Sequence, residues 1–251
     1  MSRGLGDVYK RQDKIRDLLP PGSVTSLTRL VLANAIYFRG DWADQFDRAA
    51  TKDQPFTVPG GSPRTVPLMF EKVKAGYATL PDVRAKILEL PYQGDALSMV
   101  VLLPDAPDGL GALEGELTAE RLGSWIGSAK RHDVLVYLPR FTVDSRFGLA
   151  DALSAMGMPL AFDPGRADFS GMNGARDLSI SAAVHAARVE VDERGTEAAA
   201  ATGLSMGWTA ALPQEPAVFR ADHPFLFALM HKPTGSILFI GRVVDPRVPV
   251  K

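Results

Sequence analysis

The stretch from Val191 to Pro224 constrains this chain more than any other, because it satisfies two local structures that exclude each other. It reads Val-Asp-Glu-Arg-Gly-Thr-Glu-Ala-Ala-Ala-Ala-Thr-Gly-Leu-Ser-Met-Gly-Trp-Thr-Ala-Ala-Leu-Pro-Gln-Glu-Pro-Ala-Val-Phe-Arg-Ala-Asp-His-Pro. Thr196, followed by Glu197, Ala198, Ala199, Ala200 and Ala201, reads as a helix start, since threonine caps and alanine is the best helix former. Read with period two, one face carries Thr196, Ala198, Ala200, Thr202, Leu204 and Met206. The other carries Glu197, Ala199, Ala201, Gly203, Ser205 and Gly207. That alternation fits a half-buried strand, and the small residues at its start fit between neighbouring strands without overpacking. Local signals in a core element agree with one another; these do not, which is the behaviour of a switch.

The remainder of the chain has ordinary globular composition, with 46% hydrophobic and 23% charged residues over 251 positions. That suffices for one sizeable core. A net charge of −1 gives no footprint for nucleic acid or an anionic membrane. The absence of cysteine excludes a disulfide, a zinc–thiolate site and a catalytic cysteine. No apolar run reaches transmembrane length and no leader peptide is visible.

In chain order, the β-favouring run Thr28 to Trp42, ended by Gly40, predicts a long strand with the polar Asn34 buried inside it. Phe56 to Met69 predicts a hairpin about Pro59-Gly60-Gly61. Ile87 to Tyr92 and Ala96 to Pro104 form a second pair around Gln93-Gly94-Asp95, and the near-continuous apolar run of the latter predicts burial on both faces. Leu117 to Ile126 has helical spacing, with Thr118 as the N-cap three residues before Arg121. Val134 to Val143 reads as one strand, Phe147 to Met156 as a short amphipathic helix stopped by Gly157, Ala167 to Gly171 as a turn, and Leu178 to Asp192 as a strand carrying His185. Phe225 to Met230 and Ser236 to Val244, joined by Lys232-Pro-Thr-Gly235, predict a hairpin apolar on both faces and central to the core.

One catalytic motif competes for the switch stretch. Gly203-Leu-Ser-Met-Gly207 fits the nucleophile-elbow pattern, with Ser205 as nucleophile. That chemistry needs a buried strand before the serine and a helix after it, whereas an alanine run precedes it and Pro213 and Pro216 follow. Its partners would be Asp222 and His223, whose adjacency in sequence is poor geometry for support of the histidine. The four histidines show no metal-ligand spacing, so neither a metal nor a cofactor is expected.

Three sets of residues carry a family resemblance. Glu193 to Thr202 resembles the reactive-loop hinge of inhibitory serpins. Phe219 to Phe225, followed by Ser236 to Pro246, resembles the serpin C-terminal signature. The run Thr28 to Trp42 is similar to the serpin strand bordering the slot that receives the reactive loop. The resemblance implies an α+β serpin fold, with mixed sheets, helices and an exposed reactive-centre loop. It begins near Asp13, so residues 13–251 would be the C-terminal part of a serpin domain, and Met1 to Gln12 a segment foreign to the fold at a truncated or misassembled gene start.

The function implied is that of a suicide substrate for a serine protease, not of an enzyme. The hinge comprises Glu193, Gly195, Thr196, Glu197 and Ala198 to Ala201. Family spacing from Gly195 places the cut bond at Thr209-Ala210, with Trp208-Thr209 as the alternative. Small residues there imply an elastase- or subtilisin-like partner, and Trp208 a chymotrypsin-like one. Asn34, His185, Trp42 and Arg140 fall at the sheet-opening gate, with Asn34 paired to His185. Arg140 and Glu193 would form an ion pair at the top of the slot; two solvated charges there would contribute about 0–1 kcal/mol. A monomer in an extracellular or cell-envelope setting is implied. A non-inhibitory serpin (carrier, chaperone or storage protein) is the second class, disfavoured because its hinge usually carries bulky, charged or proline residues.

Overall fold

The computed structural model describes Ile15, Leu18, Leu19, Gly22 and residues 24–194 and 215–247. The expectations for Met1 to Gln12, for the hinge from Gly195 to Ala201, for Ser205 and for the bond at Trp208, Thr209 and Ala210 lie outside the described residues. The chain divides into two units, one of residues 1–38, 143–189 and 249–251, the other of residues 39–142 and 190–248.

The first unit carries most of a three-stranded sheet in the order β1 (Leu30–Phe38), β8 (Ile180–Val191), β7 (Phe141–Gly148). β1 and β8 are direct neighbours and parallel, in register from Leu30↔Ile180 to Phe38↔Val189 with one shift after Leu30. Both are rich in the β-branched and small residues that suit a pleated surface. The Arg188 guanidinium reaches Asp144 at 3.1 Å, tying β8 to β7. The helix expected over Phe147 to Met156 is shorter than its apolar spacing suggests. The strand continues through Gly148, the helix spans only Ala150–Ala155, and none of its residues is buried. The Phe147 ring lies against His185 instead, at 5.2 Å. Gly157 ends the segment at φ +106°, as a glycine stop should.

The second unit is built on an eight-stranded sheet. Its order is β11 (Ser236–Val243), β10 (Phe225–His231), β5 (Leu97–Pro104), β4 (Ala85–Pro91), β3 (Arg64–Leu80), β6 (Lys130–Pro139), β9 (Ala217–Arg220), with β2 (Lys52–Phe56) also on β3. The two expected hairpins form. Gly60 at φ +67° serves the first turn, and Gly94 and Asp95 at φ +80° and +54° the second. β5 is buried on both faces from Ser98 to Pro104, as its unbroken apolar run predicts.

Two expectations fail here. The single strand Val134 to Val143 is two, divided at Arg140: the part through Pro139 pairs with β3, the Arg140 N–H makes one further bond in that register to the Pro67 carbonyl at 3.0 Å, and the strand from Phe141 belongs to the three-stranded sheet. The C-terminal hairpin is central only in β10. β11 has one described neighbour and exposes Ile237, Leu238 and Ile240.

Helix α1 (Leu110–Gly115) and helix α2 (Ala119–Ser128) cover one face of this sheet. The expected cap is present: Thr118 Oγ1 accepts from the Arg121 N–H at 3.2 Å. Leu122 and Trp125, one turn apart on one helix face, pack with Ile87, Val100, Leu102, Leu226 and Ala228 into a buried cluster. Each fully buried leucine or isoleucine there contributes about 1.5–3 kcal/mol.

Candidate functional site

The first residues of the switch stretch after β8, Asp192 to Arg194, are held by a short segment of the second unit. β8 ends at Val191, and the chain then folds back onto residues 39–51. The Trp42 indole donates to the Asp192 carbonyl at 2.9 Å, and its backbone N–H meets the Arg194 carbonyl at 3.4 Å. The Phe46 N–H donates to the Glu193 carbonyl at 3.0 Å. Arg39 adds an ion pair to Asp192 at 3.2 Å. Trp42 can serve as an anchor because it is fixed itself: its ring is stacked on Tyr92 at 4.4 Å and 11°, with Phe46 edge-on at 6.1 Å.

Glu193 is the charged centre of this corner, its side chain only 2% exposed. A buried carboxylate requires partners. It takes the Arg140 Nε–H at 2.6 Å, a second Arg140 nitrogen, and the Thr51 hydroxyl at 2.6 Å. Burial pushes the Glu193 carboxyl up, but the bonds from Arg140 and Thr51 outweigh it and hold the group below the ordinary glutamate range. The break after Pro139 is what delivers Arg140 here. Two freely solvated charges are thereby ruled out. Thr51 was not legible in the sequence: it lies 142 residues from Glu193, in a loop with no motif of its own.

The other expected pair lies in the first unit. Asn34 and His185 are register partners on β1 and β8, with Asn34 Nδ2 and His185 Nδ1 3.2 Å apart. Asn34 is exposed rather than buried, because β1 has β8 as its one strand neighbour among the described residues. Of the four residues expected at a gate, the structure thus brings Asn34 to His185, Arg140 to Glu193, and Trp42 to Asp192.

The hydrolase alternative loses its base. Contrary to expectation, adjacency does not keep Asp222 from His223: Oδ1 and Nδ1 are 2.9 Å apart. The other nitrogen, Nε2, is spent on the Pro104 carbonyl at 2.7 Å, in a buried contact. No ring nitrogen remains to take a proton from a serine. Among the described residues, no group of histidine and carboxylate side chains is placed to hold a metal.

Comparison with known proteins identifies the family. The family described as serpin (serine protease inhibitor) matches residues 8–246. The leukocyte elastase inhibitor of Homo sapiens is 44% identical over 241 residues, 94% of this chain and 63% of the relative. The crystal structure of uncleaved ovalbumin matches with a TM-score of 0.82 at 36% identity, over 96% of this chain and 61% of that one. Manduca sexta serpin-12 matches with a TM-score of 0.82 at 28% identity, over 98% of this chain and 64% of that one. The chain therefore spans 62–63% of the length of the curated relatives it matches. The match covers β1, β8 and the C-terminal hairpin, and the chain belongs to the serpin family.

Proposed function

We propose that this chain acts in the inhibition of a serine protease, as a suicide substrate cut in its reactive loop. The observation that carries this reading is the β1–β8 pairing. The two strands are parallel immediate neighbours, and β8 runs directly into Glu193 and the hinge sequence. A segment that reverses after β8 would enter between them antiparallel to both, the more stable of the two ladder types. Insertion breaks one parallel ladder and makes two antiparallel ones. The net gain of about ten hydrogen bonds, at about 1 kcal/mol each, rivals the stability of a domain.

In this scheme the protease's own serine attacks Thr209-Ala210 and is acylated. The freed hinge, Gly195 to Ala201, then enters from Thr196 onward. A strand of ~12 residues would carry the tethered enzyme roughly 40 Å. Asn34 and His185 latch the two border strands. Trp42 and the Arg140–Glu193 pair hold the hinge base until the bond is cut. The relatives named leukocyte elastase inhibitor support an elastase-like partner, which suits the small residues at the proposed bond.

The test is incubation with elastase-, subtilisin- and chymotrypsin-like proteases, read on a denaturing gel. A covalent band stable to boiling supports the reading. Turnover of the chain to two fragments, with full protease activity retained, overturns it.

A further inference from the structure

We propose that His223 is a doubly protonated clamp tying the corner between β9 and β10 to the end of β5, and that loss of one of its protons loosens β9 from β6. The ring has two partners and both are acceptors. Nδ1 lies 2.9 Å from Asp222 Oδ1, and Nε2 lies 2.7 Å from the Pro104 carbonyl oxygen. Neither acceptor has a hydrogen to give when Asp222 is ionised, and a neutral imidazole carries a single N–H. Both contacts are hydrogen bonds only with the imidazolium. Asp222 stays ionised because its other oxygen takes the Arg220 Nε–H at 2.8 Å. Burial alone would push Asp222 up, but the bonds from His223 and Arg220 hold it below the ordinary aspartate range.

Each element packed on the ring contributes a group. Asp222 comes from the corner itself, with Arg220 behind it on β9. The end of β5 presents the Pro104 carbonyl. Lys86 on β4 opposes the charge. Burial also works against the imidazolium, but Asp222 and the Pro104 carbonyl outweigh both and raise the group above the ordinary histidine value.

The corner matters because β9 is short. It is four residues long and pairs with β6 only from Val134↔Ala217 to Tyr137↔Arg220. Beyond that ladder it is held by the buried Phe219, by the Ala221 N–H, which donates to the Tyr137 carbonyl at 2.9 Å, by the Thr57 N–H, which donates to the Asp222 carbonyl at 2.8 Å, and by Arg220, which bonds Gln54 of β2 and lies 4.7 Å above the Tyr137 ring. Arg220 is oriented by Asp222, and Asp222 by His223. Either proton lost turns a nitrogen lone pair toward an acceptor. If Nδ1 gives it up, the lone pair faces a carboxylate; if Nε2 does, it faces a buried carbonyl. The contribution of the clamp is full below the unfolded histidine value of about 6.5 and is lost as pH rises through the higher folded value. β9 is the first described strand after the reactive stretch. Its loosening bears on loop geometry only if the inhibitor reading holds, whereas the clamp itself does not depend on it.

The test uses the whole chain and no protease, so a negative inhibition assay leaves it intact. Long-range nitrogen–proton NMR of His223 should find protons on both ring nitrogens at pH 6, and a titration midpoint above the ordinary value. Through that midpoint, hydrogen-exchange protection of the β9 amides should fall about tenfold for each unit of upward shift, while that of β4 and β5 stays level. Asp222→Asn should lower the midpoint. His223→Gln, with one donating group at every pH, should abolish the pH dependence of β9 protection. If His223→Gln does not fold, the unmodified chain and Asp222→Asn still decide the matter. A neutral single tautomer at pH 6, or β9 protection unchanged through the titration, overturns the proposal.

Discussion

Arg140→Ala removes the cation from a carboxylate that is 2% exposed, while Arg140 itself is 43% exposed. Removing one partner of a fully buried pair destabilises by roughly 3–5 kcal/mol, whereas an exposed pair contributes roughly 0–1 kcal/mol. This pair is buried at one end and open at the other, and Thr51 still donates one bond in the variant. An intermediate loss of ~2 kcal/mol follows. The sign with pH is fixed by Glu193. Its folded value lies below the unfolded one, so the pair's stabilisation is present above the ordinary glutamate value and is lost as pH falls through the folded value. Urea unfolding of the chain and of Arg140→Ala, at pH 7 and again in acid below the folded value of Glu193, measures the difference directly. The gap should be widest at pH 7 and shrink in acid, where the carboxyl is protonated in both proteins. Thr51→Val should lose about 1 kcal/mol. Because Arg140 and Thr51 share one oxygen of Glu193, the double variant should depart from additivity. A difference of the same size at both pH values would refute the reasoning, since the loss would then come from packing or backbone rather than from an unpaired charge.

On the proposed function, and in the full-length parent protein, Thr196→Arg should raise the number of inhibitor molecules consumed per protease inactivated far more than Glu197→Arg, because period two points only the first side chain into the sheet on insertion; equal effects would sink strand insertion. Mass spectrometry of the C-terminal fragment released by elastase should find it starting at Ala210, and a start at Thr209 would move recognition to Trp208. Gly241→Ala should destabilise by about 1–3 kcal/mol, because a Cβ there would sit 2.9 Å from the Phe227 ring, itself 2% exposed; the urea midpoint checks this, and Phe227→Leu should relieve it.

Local chemistry made much of the fold legible. Thr118 announced its helix because a cap is a three-residue event, and the apolar run of β5 announced a central strand because only a strand covered on both faces tolerates it. Most misses share one cause: partners far away in sequence. The strand end at Arg140 does carry a local signal, because Pro139 lacks an N–H and is disfavoured inside strands, but the β-forming residues on either side outweigh it. β11 reads as core because its composition matches that of β10, but position in the sheet, not composition, sets burial. Asn34 looks buried for the same reason. At the candidate site the family pattern found Arg140, Glu193 and Trp42, while Thr51, Tyr92 and Arg39 could not be found, since an isolated hydroxyl, phenol or guanidinium carries no spacing signal.

The β1–β8 ladder also bears on how this chain folds. Asn34 and His185, directly opposed on that ladder, are 151 residues apart in sequence. Pairings of such long range are slow, because the closure entropy of the intervening chain must be met before any of their hydrogen bonds form. The hairpins of the eight-stranded sheet are local and should assemble first. The parallel pair should then be among the last contacts to zip. Until it does, β1 and β8 present two facing, unsatisfied edges to any extended segment at hand, including one from another molecule. The yield on refolding should therefore fall with protein concentration, and the species lost should be joined through those two edges.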